Sequence, residues 1–99
     1  MEHMVLRLYV AGDGPNSAAA RTNLRRLLAG RDPASYTLEI VDCLRQPMRA
    51  LQEGVLVTPT LCRLEPAPTR TIVGSLSDRA RVLEALGLSD SSQPVPQDA

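Results

Sequence analysis

Val5-Leu6-Arg7-Leu8-Tyr9-Val10 places Leu6, Leu8 and Val10 on one face and Val5, Arg7 and Tyr9 on the other. That two-residue period predicts a strand. Ala11-Gly12-Asp13-Gly14-Pro15 breaks the pattern with residues that accept or fix turn geometry. Ala20, Leu24, Leu27 and Leu28 then recur at helical spacing, with Arg21, Arg25 and Arg26 on the exposed side. Asn16 or Ser17 is the expected N-cap and Gly30 the expected stop. After the turn Arg31-Asp32-Pro33-Ala34-Ser35, Tyr36 to Asp42 reads as a second strand carrying Tyr36, Leu38 and Ile40 on one face. A strand, a helix and a strand in this order form a βαβ unit with parallel strands and a right-handed crossover.

The second half of the chain is less periodic. Pro47 opens a short helix running to Gln52 or Glu53. Val55-Leu56-Val57 is apolar and Thr58-Pro59-Thr60 introduces Leu61 to Glu65. That segment and Arg70 to Gly74, joined by Pro66-Ala67-Pro68, read as a hairpin, although Leu61 to Leu64 does not alternate cleanly. Ser77 is the expected cap of a last helix, with Asp78 in its first turn, Val82, Leu83 and Leu86 as its apolar stripe, and Gly87 as its end. The order β-α-β-α-β-β-α suits an α/β, thioredoxin-like fold: a mixed four-stranded sheet with helices on both faces. Residues 1–88 are expected to form this domain. Residues 89–99, dominated by Ser, Asp, Gln and Pro, bury too little to offset the entropy of ordering and are expected to be a disordered tail.

Composition narrows the function. The chain has 99 residues, formal net charge zero and only 2% aromatic residues. Neither the stacking platforms nor the basic excess of a nucleic-acid binder is present. No apolar run approaches the ~20 residues of a membrane span, and Met1-Glu2-His3-Met4 lacks the basic start of a secretory signal. Cys43 and Cys62 do not form C-x-x-C, and read as reduced thiols of a cytoplasmic protein. All 11 basic residues are arginine, which fits either a GC-rich genome or selection for bidentate anion pairing.

Candidate chemistry is sparse. Gly12-Asp13-Gly14-Pro15-Asn16-Ser17 begins like a dinucleotide-binding loop, but Ser17 stands at the third glycine position and Pro15 removes an N–H. The loop after the first strand is where thioredoxin-like enzymes place a thiol acidified by a helix N-terminus; it holds no cysteine here. His3 has no neighbouring ligand set, so no metal or other cofactor is expected. Asp13, Asp42 and Asp78 are candidates to meet at the strand ends, with turn and capping roles as the alternative. Arg63 and Arg70 flank the proline turn and are candidates for a positive patch that meets an acidic partner.

Leu6-Arg7-Leu8-Tyr9-Val10-Ala11-Gly12, Pro15-Asn16-Ser17, Ile40-Val41-Asp42, Gln46-Pro47, Thr58-Pro59-Thr60-Leu61, Pro66 with Pro68, Arg70 with Ile72-Val73-Gly74, Leu76-Ser77-Asp78-Arg79 and Val82-Leu83 follow one another in register. Together they resemble the KaiB family of bacterial circadian clock proteins across residues 4–88. The resemblance implies a non-enzymatic clock component that binds the KaiC-type ATPase, sequesters KaiA and displaces the SasA-like histidine kinase. It also implies a metamorphic chain, thioredoxin-like when it binds and tetrameric, with a differently folded C-terminal half, in its ground state. A cis bond before Pro59 is implied as well. Many relatives carry Gly where this chain has Ala85 and Asp where it has Gly87. Ala for Gly inside a helix is worth about 0.5–1 kcal/mol, and Gly87 supplies a helix stop. Both tilt the expectation toward the monomeric thioredoxin-like state. Met4 at the position of a usual aromatic, and the proline-containing tail, also depart from the family pattern. Two alternatives remain open: a sensor-like module of a histidine kinase, and a degenerate thiol oxidoreductase.

Overall fold

The computed structural model describes residues 3–88; the tail expected at 89–99 lies outside them. Among the described residues the elements run β1 (Met4–Val10), α1 (Pro15–Leu28), a 3-10 turn (Pro33–Ser35), β2 (Tyr36–Asp42), α2 (Pro47–Gln52), β3 (Thr60–Glu65), β4 (Arg70–Val73) and α3 (Arg79–Leu86). The strands form one sheet in the order β2-β1-β3-β4. β1 and β2 pair in parallel, with Arg7 opposite Glu39 and Tyr9 opposite Val41. β3 is antiparallel to both β1 and β4, and Arg63 lies opposite Arg70. The expected mixed thioredoxin-like sheet is therefore the one observed.

One face carries the main core. Leu6, Leu8 and Val10 of β1, Leu61 of β3 and Ile72 of β4 meet Ala20, Leu24, Leu27 and Leu28 of α1 and Val82, Leu83 and Leu86 of α3. Each fully buried leucine here contributes about 1.5–3 kcal/mol. The helical spacing of α1 and the two-residue period of β1 point at each other, which is why this half of the chain folds as its pattern implies. Tyr9, Val41 and Ala50 are buried outside this cluster. In β2, Tyr36 and Leu38 pack against the main core while Ile40, at the open sheet edge, is exposed.

Both helix caps differ from expectation by one or a few residues. α1 starts at Pro15 with Gly14 as its cap and no side-chain capping bond. Pro at the first position needs no partner for its absent N–H. Ser17 is instead buried inside the first turn, where its hydroxyl accepts the Ala11 N–H at 3.1 Å. α3 is capped by Asp78, not Ser77: the Asp78 carboxylate accepts the Arg81 N–H at 3.1 Å. Either side chain satisfies a free helix amide, and the ionised one makes the stronger bond. Gly87 closes α3 in the left-handed region at φ 72°, a conformation that favours glycine.

Candidate functional site

The β1–α1 loop, where a thioredoxin-like enzyme would carry its thiol, is here a pinned turn. The Gly12 N–H and the Leu44 N–H both donate to Asp42 Oδ1 at 3.0 Å, and these two bonds hold the Asp42 carboxyl below the usual carboxylate range. Gly12 sits at φ 57°, and a Cβ there would lie 3.1 Å from Leu44 Cδ1. The Thr58–Pro59 bond is cis, as are Glu65–Pro66 and Ala67–Pro68. Cys43 lines a small depression with Ala50, Val55, Leu56, Val57 and Thr58. Burial, and then the charges of Asp42 and Glu53, push its thiol pKa up, the direction opposite to that of a reactive thiolate. Cys62 lies on β3 with its sulfur 3.7 Å from the Thr71 hydroxyl.

Of the three aspartates, Asp13 and Asp42 come together and Asp78 stays apart. Asp13 pairs with Arg21 at 3.1 Å and shares a polar depression with Asp42, Arg45 and Gln46. Asp78 is occupied at the cap of α3. His3 bridges the Ala34 carbonyl and the Thr37 hydroxyl at 3.0 and 2.6 Å.

The expected Arg63–Arg70 patch does not form as a pair. Arg63 points into the molecule and is only 8% exposed. Its guanidinium donates to the carbonyl oxygens of Leu86 and Pro68, both at 3.0 Å. The last carbonyls of a helix lack partners within the helix and lie at the negative end of its dipole. Arg63 satisfies one of them and ties α3 to the proline turn. Gly87 supports this approach, since a Cβ there would lie 3.1 Å from Arg63 Nη1. Arg70 alone of the two stays exposed.

The apolar surface that pattern reasoning missed surrounds α2. Pro47 starts this helix and only Ala50 is buried in it. Leu44, Met48 and Leu51 are 70%, 64% and 72% exposed, and the following Leu56 is 93% exposed. Val57 is exposed too. These large apolar side chains are concentrated over one short stretch rather than scattered over the surface, the arrangement that makes it a candidate interaction surface. The stretch Glu53–Val57 also walls a cleft of about 560 Å³ floored by Tyr9, Thr60, Cys62, Leu64, Thr71 and Val73. This cleft exists because α1 and α3 both pack on the opposite face of the sheet, while α2 is too short to cover β3 and β4. The available signal was the apolar run Val55-Leu56-Val57, which no predicted element absorbed.

Beneath α2 lies a charged cluster that sequence reasoning also missed. Arg7 Nε donates to Glu39 Oε1 at 2.8 Å, and Arg7 Nη1 donates to Glu53 Oε1 at 3.0 Å. Arg49 donates to both oxygens of Glu39 at 2.7 Å and to Glu53 Oε2 at 2.7 Å. The Tyr9 hydroxyl also donates to Glu53 Oε1. Arg49, and then Arg7, hold the Glu39 carboxyl down at about 2. Tyr9, followed by Arg49, lowers that of Glu53. These groups neutralise one another, so they suit positioning rather than proton transfer.

A family model described as the KaiB domain matches residues 7–88. The circadian clock oscillator protein KaiB of Prochlorococcus marinus strain MIT 9312 is 45% identical over 84 residues, covering 85% of this chain and 80% of that protein. The protein of the same name from Synechococcus sp. strain RCC307 is 46% identical over 84 residues, covering 85% and 76%. Among solved structures, the N-terminal domain of Synechococcus elongatus SasA aligns with a TM-score of 0.68 at 20% identity, covering 97% of this chain and 90% of that one. Oxidised mitochondrial thioredoxin 3 of Saccharomyces cerevisiae aligns with a TM-score of 0.69 at 12% identity, covering 88% and 79%. At these identities the two structures share the fold alone.

Proposed function

The chain belongs to the KaiB family, and from that membership we propose that it acts as a non-enzymatic regulator of a KaiC-type ATPase, binding it through the apolar surface around α2. The observation that carries this reading is the exposure of Leu44, Met48, Leu51, Leu56 and Val57 beside a redox-loop position that holds no thiol. A surface of this kind gains free energy by losing water on association. Residues that merely positioned a substrate would not need it.

Recruiting KaiA and displacing a SasA-like kinase follow in this reading from occupancy of the same ATPase. Exposed Arg70 serves as a peripheral positive contact, a role Arg63 leaves to it by turning inward. Ala85 and Gly87 act as determinants of the thioredoxin-like arrangement against a tetrameric alternative. Ala85 packs at the margin of the core and Gly87 supplies the left-handed stop. The binding form is a cytoplasmic monomer; among the described residues no helix is long and apolar enough to cross a membrane. The thiol-oxidoreductase reading is disfavoured by the β1–α1 loop, Ala11-Gly12-Asp13-Gly14-Pro15, which carries no cysteine at the helix N-terminus.

The test is a binding titration against the host's KaiC-type ATPase, with a SasA-like kinase from the same host in a parallel titration. Wild type is expected to bind the ATPase. Leu51→Asp, which buries a charge on docking, is expected to lower that affinity at least about tenfold while leaving the circular dichroism spectrum unchanged. Binding to the kinase alone would move the assignment to the sensor-module reading. Thiol-dependent insulin reduction, lost in a Cys43→Ser, Cys62→Ser double variant, would overturn the non-enzymatic reading.

A further inference from the structure

α2 is only six residues long, and Ala50 is its single buried side chain. A helix of that length is not stable by itself, and one alanine supplies little burial to dock it. Charge supplies what packing does not. Arg7 and Arg49 each bond both Glu39 and Glu53, so the four charges close an alternating ring. All four carboxylate oxygens accept at least one bond, and Tyr9 adds one more from the sheet. The ring joins β1, β2, α2 and the residue that follows α2. Its members are only partly buried, so salt reaches them, yet the bidentate Arg49–Glu39 geometry and the closed network set it apart from isolated surface pairs.

We propose that the Arg7–Glu39–Arg49–Glu53 ring is an electrostatic latch that docks α2 and the Glu53–Val57 wall onto the sheet, and that it opens with rising ionic strength while the main core stays closed. Opening frees the segment that carries Met48, Leu51, Leu56 and Val57. It also predicts that any binding through this segment depends on salt even without a charge contact between the partners. The inference concerns the free chain and holds whichever partner the surface meets.

Amide hydrogen exchange in the free protein reads the latch directly. The N–H groups of Ala50, Glu53, Gly54 and Val55 donate within this segment to Gln46, Arg49, Leu51 and Ala50 carbonyls. Raising sodium chloride from about 0.05 to about 1 M shortens the Debye length to about 3 Å. In wild type this is expected to speed exchange of these four amides about tenfold and to leave the β1 amides unchanged. Arg49→Gln is expected to reach the fast rate already at low salt and to show no further salt response. Arg49→Lys, which keeps the charge but loses the fork, is expected to fall between the two. Salt-insensitive exchange of these amides in wild type would overturn the proposal. So would wild-type protection in Arg49→Gln, or a salt response that extends equally to β1.

Discussion

Residues 4–42 and residues 43–88 solve the same folding problem by different means. In the first region, β1 and α1 present complementary apolar faces, and Leu6, Leu8, Val10, Leu24, Leu27 and Leu28 disappear between them. In the second, the hairpin and α3 close the same core with Leu61, Ile72, Val82, Leu83 and Leu86. Polar contacts hold what that packing leaves over: the ring that ties α2 to Arg7 and Glu39, a buried arginine between the hairpin and α3, and an aspartate cap. The turn into α3 even holds Leu76 at φ 64°, a conformation that costs a non-glycine residue about 1–2 kcal/mol. The difference separates scaffold from surface. The segments that close the main core have few apolar side chains left to offer a partner, whereas residues 44–57, with Ala50 alone buried, keep Leu44, Met48, Leu51 and Leu56 outside.

The contrast is broken most severely at its packed end. Leu8 is fully buried on the central strand, so Leu8→Ala is expected to destabilise the protein by about 2–5 kcal/mol. Leu56→Ala, at the most exposed large apolar position among the described residues, is expected to change stability by less than about 0.5 kcal/mol. Urea unfolding of the two variants checks both values. Comparable losses would show that residues 55–57 belong to the core.

Arg63 provides the next largest effect. Arg63→Met keeps a long side chain but leaves the Leu86 and Pro68 carbonyls without their donor. The expected cost is about 1–3 kcal/mol, with faster amide exchange at Gly87 and Leu88, whose N–H groups close α3 onto Glu84 and Leu83. A neutral substitution would mean that water replaces the guanidinium without loss.

These contacts explain which parts of the structure were legible in the sequence. β1, α1 and β2 follow from spacing, because a strand and a helix that share one core must each repeat at their own period. The hairpin was visible but looked irregular, since Arg63 occupies a core-facing position of β3. One carbonyl it serves, that of Pro68, is five positions away, but the helix-end carbonyl belongs to Leu86, 23 positions away. The ring was hidden for a related reason. Its members become neighbours only once Arg7 lies opposite Glu39 in the parallel register and α2 folds back over the sheet. Ser77 and Asp78 are both good caps, and choosing between them depends on where α3 meets the sheet.

The smallest expected effect is on the pH dependence of stability. The Glu39 carboxyl is held at about 2 in the folded protein against an ordinary 4.5. Its stabilising contribution is therefore complete above the unfolded value and disappears as pH falls from about 4.5 toward about 2. The urea midpoint of wild type is expected to fall more steeply below pH 4.5 than that of Glu39→Gln, and the two curves to run parallel above about pH 6. Parallel curves throughout would mean that the ring carbons pack but its charges contribute nothing.

The division between scaffold and surface is tested most directly by hydrogen-exchange footprinting of the chain in complex with the host's KaiC-type ATPase. Protection gained on binding is expected to concentrate in residues 44–57, with α1 and α3 exchanging as they do in the free protein. Protection centred on the outer faces of α1 and α3, or on the Ala11–Gly14 loop, with residues 44–57 unchanged, would contradict the assignment of the binding surface to α2.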